Sequence, residues 1–149
     1  MRGWQLNELL QRDWRVKRVF RGVFSSNSLP MYIELGRPHA FIINIDRNHK
    51  PGSHWVALYI DPFGTATYFD SFGFSPYQSD IKDFIQRNSF KLITNPIIIQ
   101  NLLSTTCGLY CVYFIREMVK GKRLIDIISH FNPRHTMIND RRIMQLVHR

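Results

Sequence analysis

Two segments in the first half of the chain are apolar on both faces, which is the pattern of strands buried inside a sheet. They are AFIINID, residues 40–46, and HWVALYI, residues 54–60. A third strand, TATYFD at residues 65–70, follows the turn sequence DPFG at residues 61–64. Asp, Pro and Gly stand there at the first, second and fourth positions that a type I turn favours. The pattern therefore predicts two central strands and an antiparallel hairpin closed by residues 62–64.

Helical periodicity, in which apolar residues recur every three or four positions, dominates most of the remaining chain. The predicted helices cover residues 4–12, 77–88, 107–120, 123–130 and 137–148. An extended segment is predicted to end near Phe24, and a further strand is predicted over residues 90–99, with the three isoleucines at 97–99 buried. In the first helix, Trp4 and three leucines are available for burial. These elements predict an α+β fold, with a mixed central sheet flanked by helices.

The composition fits a single globular domain over residues 1–149. The chain is 44% hydrophobic and 13% aromatic, which is too apolar for a disordered protein. No apolar run approaches the length that spans a bilayer, and no signal peptide is evident. The two cysteines stand four residues apart and do not form a disulfide framework. We therefore expect an intracellular protein that is not secreted and has no membrane partner.

Cys107 is the first residue that points to chemistry. It lies between the small polar residues 104–106, one of which is predicted to cap the following helix, and Gly108. At a helix N-terminus a thiol is biased toward the nucleophilic thiolate. Gly108 would leave space there for an extended substrate backbone. The alternative for an isolated cysteine is a structural residue in the core, which is what we expect of Cys111 one turn further along.

A nucleophilic cysteine needs a base and a group that orients the base. If the hairpin has the predicted three-residue loop, Val56 lies opposite Asp70, and His54 is two positions away on the same face. Diagonal neighbours of this kind are about 7–8 Å apart between backbone positions, which a His and an Asp side chain can span. The turn chemistry alone therefore brings His54 and Asp70 together, although a register error of one residue would separate them.

Gln100 stands seven residues before Cys107, at the end of an apolar run. Its amide could donate to an oxyanion beside the cysteine, together with the Cys107 backbone N–H. On its own, a glutamine after isoleucines is usually only the end of a strand. The functional interpretation of Gln100 therefore depends on its occurring together with the other candidate residues.

The motifs that contain these residues resemble those of the adenovirus-type cysteine proteases, the adenain family. The family has a histidine in a G-x-H-W context, an acidic residue followed by F-G-F, and a glutamine six residues before C-G-L-[FY]-C. This chain has GSHW at residues 52–55, DSFGF at residues 70–74 and CGLYC at residues 107–111, preceded by Gln100. The likeness covers most of the chain, and it is greatest for the compact proteases of small DNA viruses and of Polinton and adintovirus-like elements.

The resemblance implies a role for each candidate residue. Cys107 would be the nucleophile, His54 its base, Asp70 the orienting carboxylate and Gln100 an oxyanion donor. Trp55, beside the base, would be either a core residue or a substrate-binding residue that also stacks on the imidazole. The implied function is a cysteine endopeptidase that cleaves virion precursor proteins near glycine, in the host nucleus or cytoplasm or in the virion. No metal or obligatory cofactor is implied.

Two departures from the family concern the acid and the activator. The adenoviral enzymes typically carry Glu where this chain has Asp70, and Asp is usual in the more distantly related SUMO-deconjugating proteases. The adenoviral enzyme is activated by a peptide that forms a disulfide outside the active site. The two cysteines of this chain, Cys107 and Cys111, cannot play that part. We therefore do not expect a disulfide-linked peptide.

The net charge of +9 favours an acidic partner. Basic residues cluster at positions 12–21, at 120–123 and at 141–149. Such an excess supports salt-sensitive binding to phosphates without sequence preference. By resemblance, DNA or a peptide would be the activator. The alternative is an ordinary solvated basic surface.

Three other functions remain open at the level of sequence. The protein could be a peptidase for ubiquitin-like modifiers, with the same chemistry and a different substrate. It could be a catalytically silent relative used for binding. It could also be a zinc-bearing nucleic-acid module using Cys107, Cys111, His130 and His135, although this spacing fits structural zinc sites poorly. His39 and His49 are expected to face solvent.

Overall fold

The computed structural model describes residues 1–46 and 54–148, and within them a five-stranded mixed sheet forms the centre of the molecule. The strands are β1 (Phe20–Ser25), β2 (His39–Asn44), β3 (Trp55–Ile60), β4 (Thr65–Phe69) and β5 (Lys91–Thr94). They lie side by side in chain order. β2, β3 and β4 are antiparallel, whereas β1 and β5 run parallel to their neighbours at the two edges. The α+β prediction with a mixed sheet is confirmed.

The helices cover both faces of this sheet. They are α1 (Gly3–Gln11), α2 (Trp14–Lys17), α3 (Ser79–Asn88), α4 (Cys107–Val119), α5 (Leu124–Ile128) and α6 (Thr136–Val147). The apolar face of α3 packs on one side of the sheet, and α4 packs on the other with α1 and α2 beside it. The sheet presents small side chains to α4, at Ala40 and Ala57, which lets the helix approach closely. Both faces of β2 and β3 are therefore buried, as their apolar sequences predict.

The β3–β4 hairpin has the predicted register. Ala57 pairs with Phe69 and Ile60 with Ala66, which places Asp61 opposite Thr65. The Gly64 N–H donates to the Asp61 carbonyl at 3.1 Å, closing the turn, and Gly64 has a φ of 86°. A side chain is strained at that φ, so the turn favours glycine at its fourth position.

Several predicted elements differ from the structure. The strand predicted over residues 90–99 ends at Thr94, and Ile97 and Ile98 are about two-fifths exposed, because residues 95–100 leave the sheet. Trp4 is 64% exposed, since the leucines of α1 fill the interface with α4 instead. The last two helices, α5 and α6, pack against α4.

In the two described stretches, residues 1–46 and 54–148, no helix has the length and apolar character needed to cross a membrane. The polar sequence RNHKPGS, residues 47–53, directly precedes His54, and the sequence predicts a loop there; these residues lie outside the described ones. His49 and the first two residues of the GSHW motif belong to this loop.

Candidate active site

Cys107 is the first residue of α4 and is mostly buried. Thr106 occupies the N-cap position, but its side chain does not cap the helix as predicted. Its hydroxyl donates instead to Asp140 Oδ1 on α6 at 3.0 Å and lies 3.0 Å from the Ser104 hydroxyl. The helix therefore begins where it was expected, but the predicted side-chain cap is wrong. The sulfur lies at the positive end of the α4 dipole.

His54 and Asp70 come together at the end of the hairpin, as its register predicts. His54 Nε2 lies 2.6 Å from Asp70 Oδ1, and the carboxylate is fully buried. The same oxygen accepts from the Phe72 backbone N–H at 2.8 Å. Because Asp70 engages Nε2, the Nδ1 atom of His54 is the ring nitrogen that remains for Cys107. Two acceptor interactions on one oxygen hold the carboxylate in a single orientation.

Asn95 holds the backbone of Asp70 in place, a role that sequence reasoning missed. Its side-chain amide donates to the Asp70 carbonyl at 2.8 Å and accepts from the Asp70 N–H at 3.0 Å. This reciprocal pair continues the parallel β4–β5 contact by one position after β5 has ended. Asn95 is itself buried. Its only sequence signal was an asparagine before a proline, which marks a loop rather than a site.

Residues 70–73 form a tight turn that depends on glycine. The Gly73 N–H donates to the Asp70 carbonyl at 2.8 Å, and Gly73 has a φ of 77°. A Cβ at this position would lie 2.9 Å from the backbone carbon of Ile97. The turn can therefore pack against residues 97–98 only because position 73 has no side chain.

The surroundings of Cys107 and His54 lower the pKa of the thiol and raise the pKa of the imidazole. Burial alone would lower the pKa of His54, but hydrogen bonds and charge interactions with Asp70 and Cys107 raise it to about 9. Burial alone would raise the pKa of the Cys107 thiol, but a hydrogen bond to His54 and the Trp55 backbone N–H lower it. Both changes favour a thiolate–imidazolium pair. The pair can supply a nucleophile and an acid at neutral pH.

Phe72 stacks on the imidazole, with ring centroids 4.5 Å apart and planes 18° from parallel. Stacking on His54 was one of the options for Trp55, but that side chain points elsewhere. Its indole N–H donates to the Met1 carbonyl at 3.1 Å, and its ring lies near Gly3 and Gly108. Trp55 also lines an open groove of about 470 Å³ together with Trp4, Asn7 and Val23. Trp55 is therefore available to contact a ligand in this groove, whose lining does not include His54 or Cys107.

Gln100 is buried, and both ends of its amide are bonded. Oε1 accepts from the Ser71 hydroxyl at 2.5 Å, and Nε2 donates to the carbonyl and hydroxyl oxygens of Ser104, each at 3.1 Å. Ser104 belongs to the loop that leads into α4. The amide donor end therefore faces the segment that delivers Cys107. Sequence reasoning named Gln100 but missed Ser71, whose position beside Asp70 gave no signal.

Gly108 does not leave open space for a substrate. A Cβ at this position would lie 2.8 Å from Leu6 Cδ2 and 3.5 Å from Trp55 Cδ1. The room that the sequence analysis assigned to a substrate backbone is filled by the core side chains of α1 and β3. In the structure, glycine at this position permits close packing of α4 on α1.

The remaining histidines and cysteines do not form a further site in the described residues. Cys111 is fully buried in the core, as predicted, and burial raises the pKa of its thiol. No group of three or more His, Cys, Asp or Glu side chains in residues 1–46 and 54–148 is placed to hold a metal ion.

The expectation that His39 faces solvent is wrong. It is buried, accepts from Arg21 Nε at 2.8 Å and contacts the Glu34 carbonyl at 2.6 Å.

Comparisons with known proteins identify relatives of this chain. A family model described as adenovirus endoprotease matches residues 20–149. A protein of Acanthamoeba polyphaga mimivirus named as a thiol protease, R355, is 35% identical over 100 residues, which cover 61% of this chain and 33% of that protein. The protease of Porcine adenovirus A serotype 3 is 26% identical over 139 residues, which cover 83% of this chain and 66% of that protease.

Solved structures share the same architecture. The crystal structure of the ASFV pS273R protease matches with a TM-score of 0.62 at 23% identity, covering 86% of this chain and 60% of that one. At this identity the match shows a common fold. The chain spans a third of the mimivirus protein and just under two thirds of the porcine adenovirus protease.

Proposed function

Since this chain belongs to the adenovirus endoprotease family, we propose that it is a cysteine endopeptidase. The observation that carries the proposal is the series Asp70, His54 and Cys107. It joins a fully buried carboxylate to an imidazole at 2.6 Å and the imidazole to a thiol of lowered pKa. Acyl transfer through a covalent intermediate uses a nucleophile, a base and a group that orients the base.

In the proposed mechanism the thiolate of Cys107 attacks the scissile carbonyl carbon and forms a carbon–sulfur bond. The carbonyl electrons move onto oxygen, and the backbone N–H of Cys107 and the Gln100 amide stabilise that oxyanion. Collapse of the tetrahedral intermediate expels the amine, which takes its proton from His54 Nδ1. Water then attacks the thioester with His54 as base, which releases the acid and restores the thiol.

Asp70 and Phe72 keep His54 in position during these steps. Asp70 binds Nε2, so the proton that moves is always the one on Nδ1. Phe72 covers one face of the ring. Gln100 must exchange one of its hydrogen bonds to Ser104 for the bond to the oxyanion. Gln100 Nε2 remains fully hydrogen-bonded after the exchange, because the substrate oxygen replaces one Ser104 oxygen as its acceptor.

We propose virion precursor proteins as substrates, cleaved beside glycine, inside the host cell or the virion. The support is the family and the open groove of about 470 Å³ that Trp55 lines, which could take a segment of chain. The exposed ring of Trp4 and the half-buried ring of Trp55 offer apolar surface there. Glycine near the cleavage point would let the chain pass close to these rings.

We further propose that DNA binds on the side of the sheet that α4 covers. Five exposed cations lie there, on or directly after two helices that pack against α4: Arg15, Lys17 and Arg18 at α2, and Arg141 and Arg142 on α6. Lys120 and Lys122 contribute less, because both pair with Glu117, at 3.0 and 3.4 Å. Binding through these side chains would depend strongly on salt. Activation by DNA or by a peptide is part of this proposal.

The function is tested by incubating the protein and Cys107→Ala with a glycine-containing capsid-precursor peptide and with a SUMO fusion. Cleavage of the peptide that is lost in the variant would support the proposal. Cleavage of the SUMO fusion alone would keep the mechanism and replace the substrate. Absence of cleavage of both, with and without DNA, would contradict the proposed activity.

The DNA proposal has its own charge-reversal variants. Arg141→Glu/Arg142→Glu and Lys17→Glu/Arg18→Glu should weaken binding to duplex DNA and flatten its dependence on salt. Lys82→Glu, on the exposed face of α3, changes charge on the opposite side of the sheet and serves as the control. Equal weakening by the α3 control would show that net charge alone is responsible, and would remove the proposed surface.

A further inference from the structure

Ser71 connects the two functional ends of the candidate site. It follows Asp70 directly, is fully buried, and lies in the turn of residues 70–73. Its backbone carbonyl accepts from the N–H groups of Ile99 and Gln100, at 3.0 and 3.2 Å. Its hydroxyl lies 2.5 Å from Gln100 Oε1. One residue therefore holds both the backbone and the side chain of Gln100.

The direction of the Ser71–Gln100 hydrogen bond follows from the other end of the amide. The Ser104 carbonyl oxygen is an acceptor only and lies 3.1 Å from the Gln100 amide, so the group that faces it must be Nε2. The oxygen of the amide then faces Ser71, and the Ser71 hydroxyl must donate. No other donor to Oε1 occurs among the residues that the structure describes.

We propose that Ser71 is a positioning residue that orients the Gln100 amide as an oxyanion donor. This inference rests on the proposed protease function. The hydroxyl fixes Oε1 and so aims the N–H groups toward the loop that leads into Cys107. By this arrangement the turn of residues 70–73 supports the base through Asp70 and the oxyanion donor through Ser71. A shift of that turn would disturb both at once.

Removal of the hydroxyl has a specific consequence. In Ser71→Ala, Oε1 becomes a buried acceptor without its donor, which is unfavourable, and the amide gains freedom to rotate. The N–H groups are then aimed at the oxyanion for only part of the time. Because the oxyanion develops after substrate has bound, the loss should fall on kcat and not on KM.

The test compares cleavage of the capsid-precursor peptide by the protein, Ser71→Ala, Gln100→Ala and the double variant. We expect Ser71→Ala to lower kcat by about tenfold or more, with KM changed by less than about twofold. The double variant should be no slower than Gln100→Ala, because Ser71 acts through Gln100. Additive losses or an unchanged kcat in Ser71→Ala would overturn the proposal.

Ser89→Ala is the matched control. Its hydroxyl also makes one short hydrogen bond, to the Ile85 carbonyl at 2.6 Å, but at the end of α3 on the other side of the sheet. It should leave kcat unchanged. If Ser71→Ala does not fold, Ser71→Thr and Ser71→Val provide the comparison, since they have the same shape and only threonine keeps the donor. Equal kcat in these two variants would also overturn the proposal.

A second measurement does not depend on activity. The Gln100 side-chain N–H signals can be assigned by nuclear magnetic resonance from their loss in Gln100→Ala. In Ser71→Ala their hydrogen exchange should accelerate by about tenfold or more. If the wild-type protein cleaves nothing and the exchange still accelerates, the protease function fails and the orientation of Gln100 by Ser71 stands. If exchange is unchanged, Ser71 does not hold the amide.

Discussion

Asp70→Asn removes the charge beside His54 while keeping the shape of the side chain. The carboxylate is fully buried, so solvent does not screen its effect on the imidazole 2.6 Å away. The backbone contacts of Asp70 with Asn95 do not involve the carboxylate and should persist. The substitution therefore tests the electrostatic role of Asp70 with little change of structure.

The size of the effect follows from the His54 pKa. A rise from the ordinary 6.5 to about 9 corresponds to about 3 kcal/mol in favour of the imidazolium, at about 1.4 kcal/mol for each pH unit. Burial opposes this rise, and both Asp70 and Cys107 contribute to it. Loss of a buried opposite charge lowers a pKa by about 1–3 units. Asp70→Asn should thus lower the His54 pKa from about 9 toward neutrality.

The sign of the pH dependence follows directly. The thiolate–imidazolium pair exists between the lowered pKa of Cys107 and the raised pKa of His54, so kcat/KM should hold up to about pH 9 and fall above it. In Asp70→Asn the alkaline limb should move to lower pH. Alkylation of Cys107 by iodoacetamide near pH 6.5 should also slow. A smaller fraction of His54 is then protonated, so its positive charge lowers the thiol pKa less.

Two profiles measure this prediction: kcat/KM for the peptide, and the rate of Cys107 alkylation followed by mass spectrometry. Asp83→Asn is the control, since it removes an exposed carboxylate from α3 on the far face of the sheet. Both profiles should be unchanged in the control. An alkaline limb in Asp70→Asn that coincides with that of the wild-type protein would refute the assigned role of Asp70.

Three further predictions concern the nucleophile, the oxyanion donor and the turn. Cys107→Ala should abolish peptide cleavage and Cys111→Ala should keep most of it, whereas equal loss would mean that helix packing had been mistaken for chemistry. Gln100→Ala should lower kcat by about 10²-fold or more with KM largely kept, and an unchanged kcat would exclude an oxyanion role. Gly73→Ala should destabilise the protein in denaturant unfolding by about 2–5 kcal/mol, because strain at positive φ adds to a backbone clash. Gly36→Ala has the strain without the clash and should lose only about 1–2 kcal/mol, so similar losses would contradict the packing argument.

Local turn chemistry explains why the base and its partner could be predicted from sequence. A hairpin closed by residues 62–64 permits one register, and that register alone places His54 near Asp70. The start of α4 at Cys107 was equally accessible, because a polar stretch gives way there to a continuous apolar run. Both inferences depend on neighbours within about 16 residues.

The residues that support the site could not be found in this way. Asn95 and Ser71 act through hydrogen bonds to loop backbone and side chains 25 and 29 positions away, and neither lies in a periodic pattern. Gly108 was assigned to substrate because glycine would leave space beside Cys107. Leu6 fills that space, and its distance along the chain hid the contact from sequence analysis. Residues 95–99 resembled a strand because three isoleucines are typical of β-sequence. Their course is instead determined by hydrogen bonds to the 70–73 turn, from the Asn95 side chain and from the backbone N–H groups of Ile99 and Gln100.

The central claim is that Cys107, activated by His54, cleaves peptide bonds. The most direct test is to incubate the wild-type protein with the glycine-containing capsid-precursor peptide and to quench early in the first turnover. The account predicts a thioester-linked acyl group on Cys107, detected by mass spectrometry, that is absent in Cys107→Ala and nearly absent in His54→Ala. Cleavage that persists in Cys107→Ala, or an acyl group on any other residue, would contradict it.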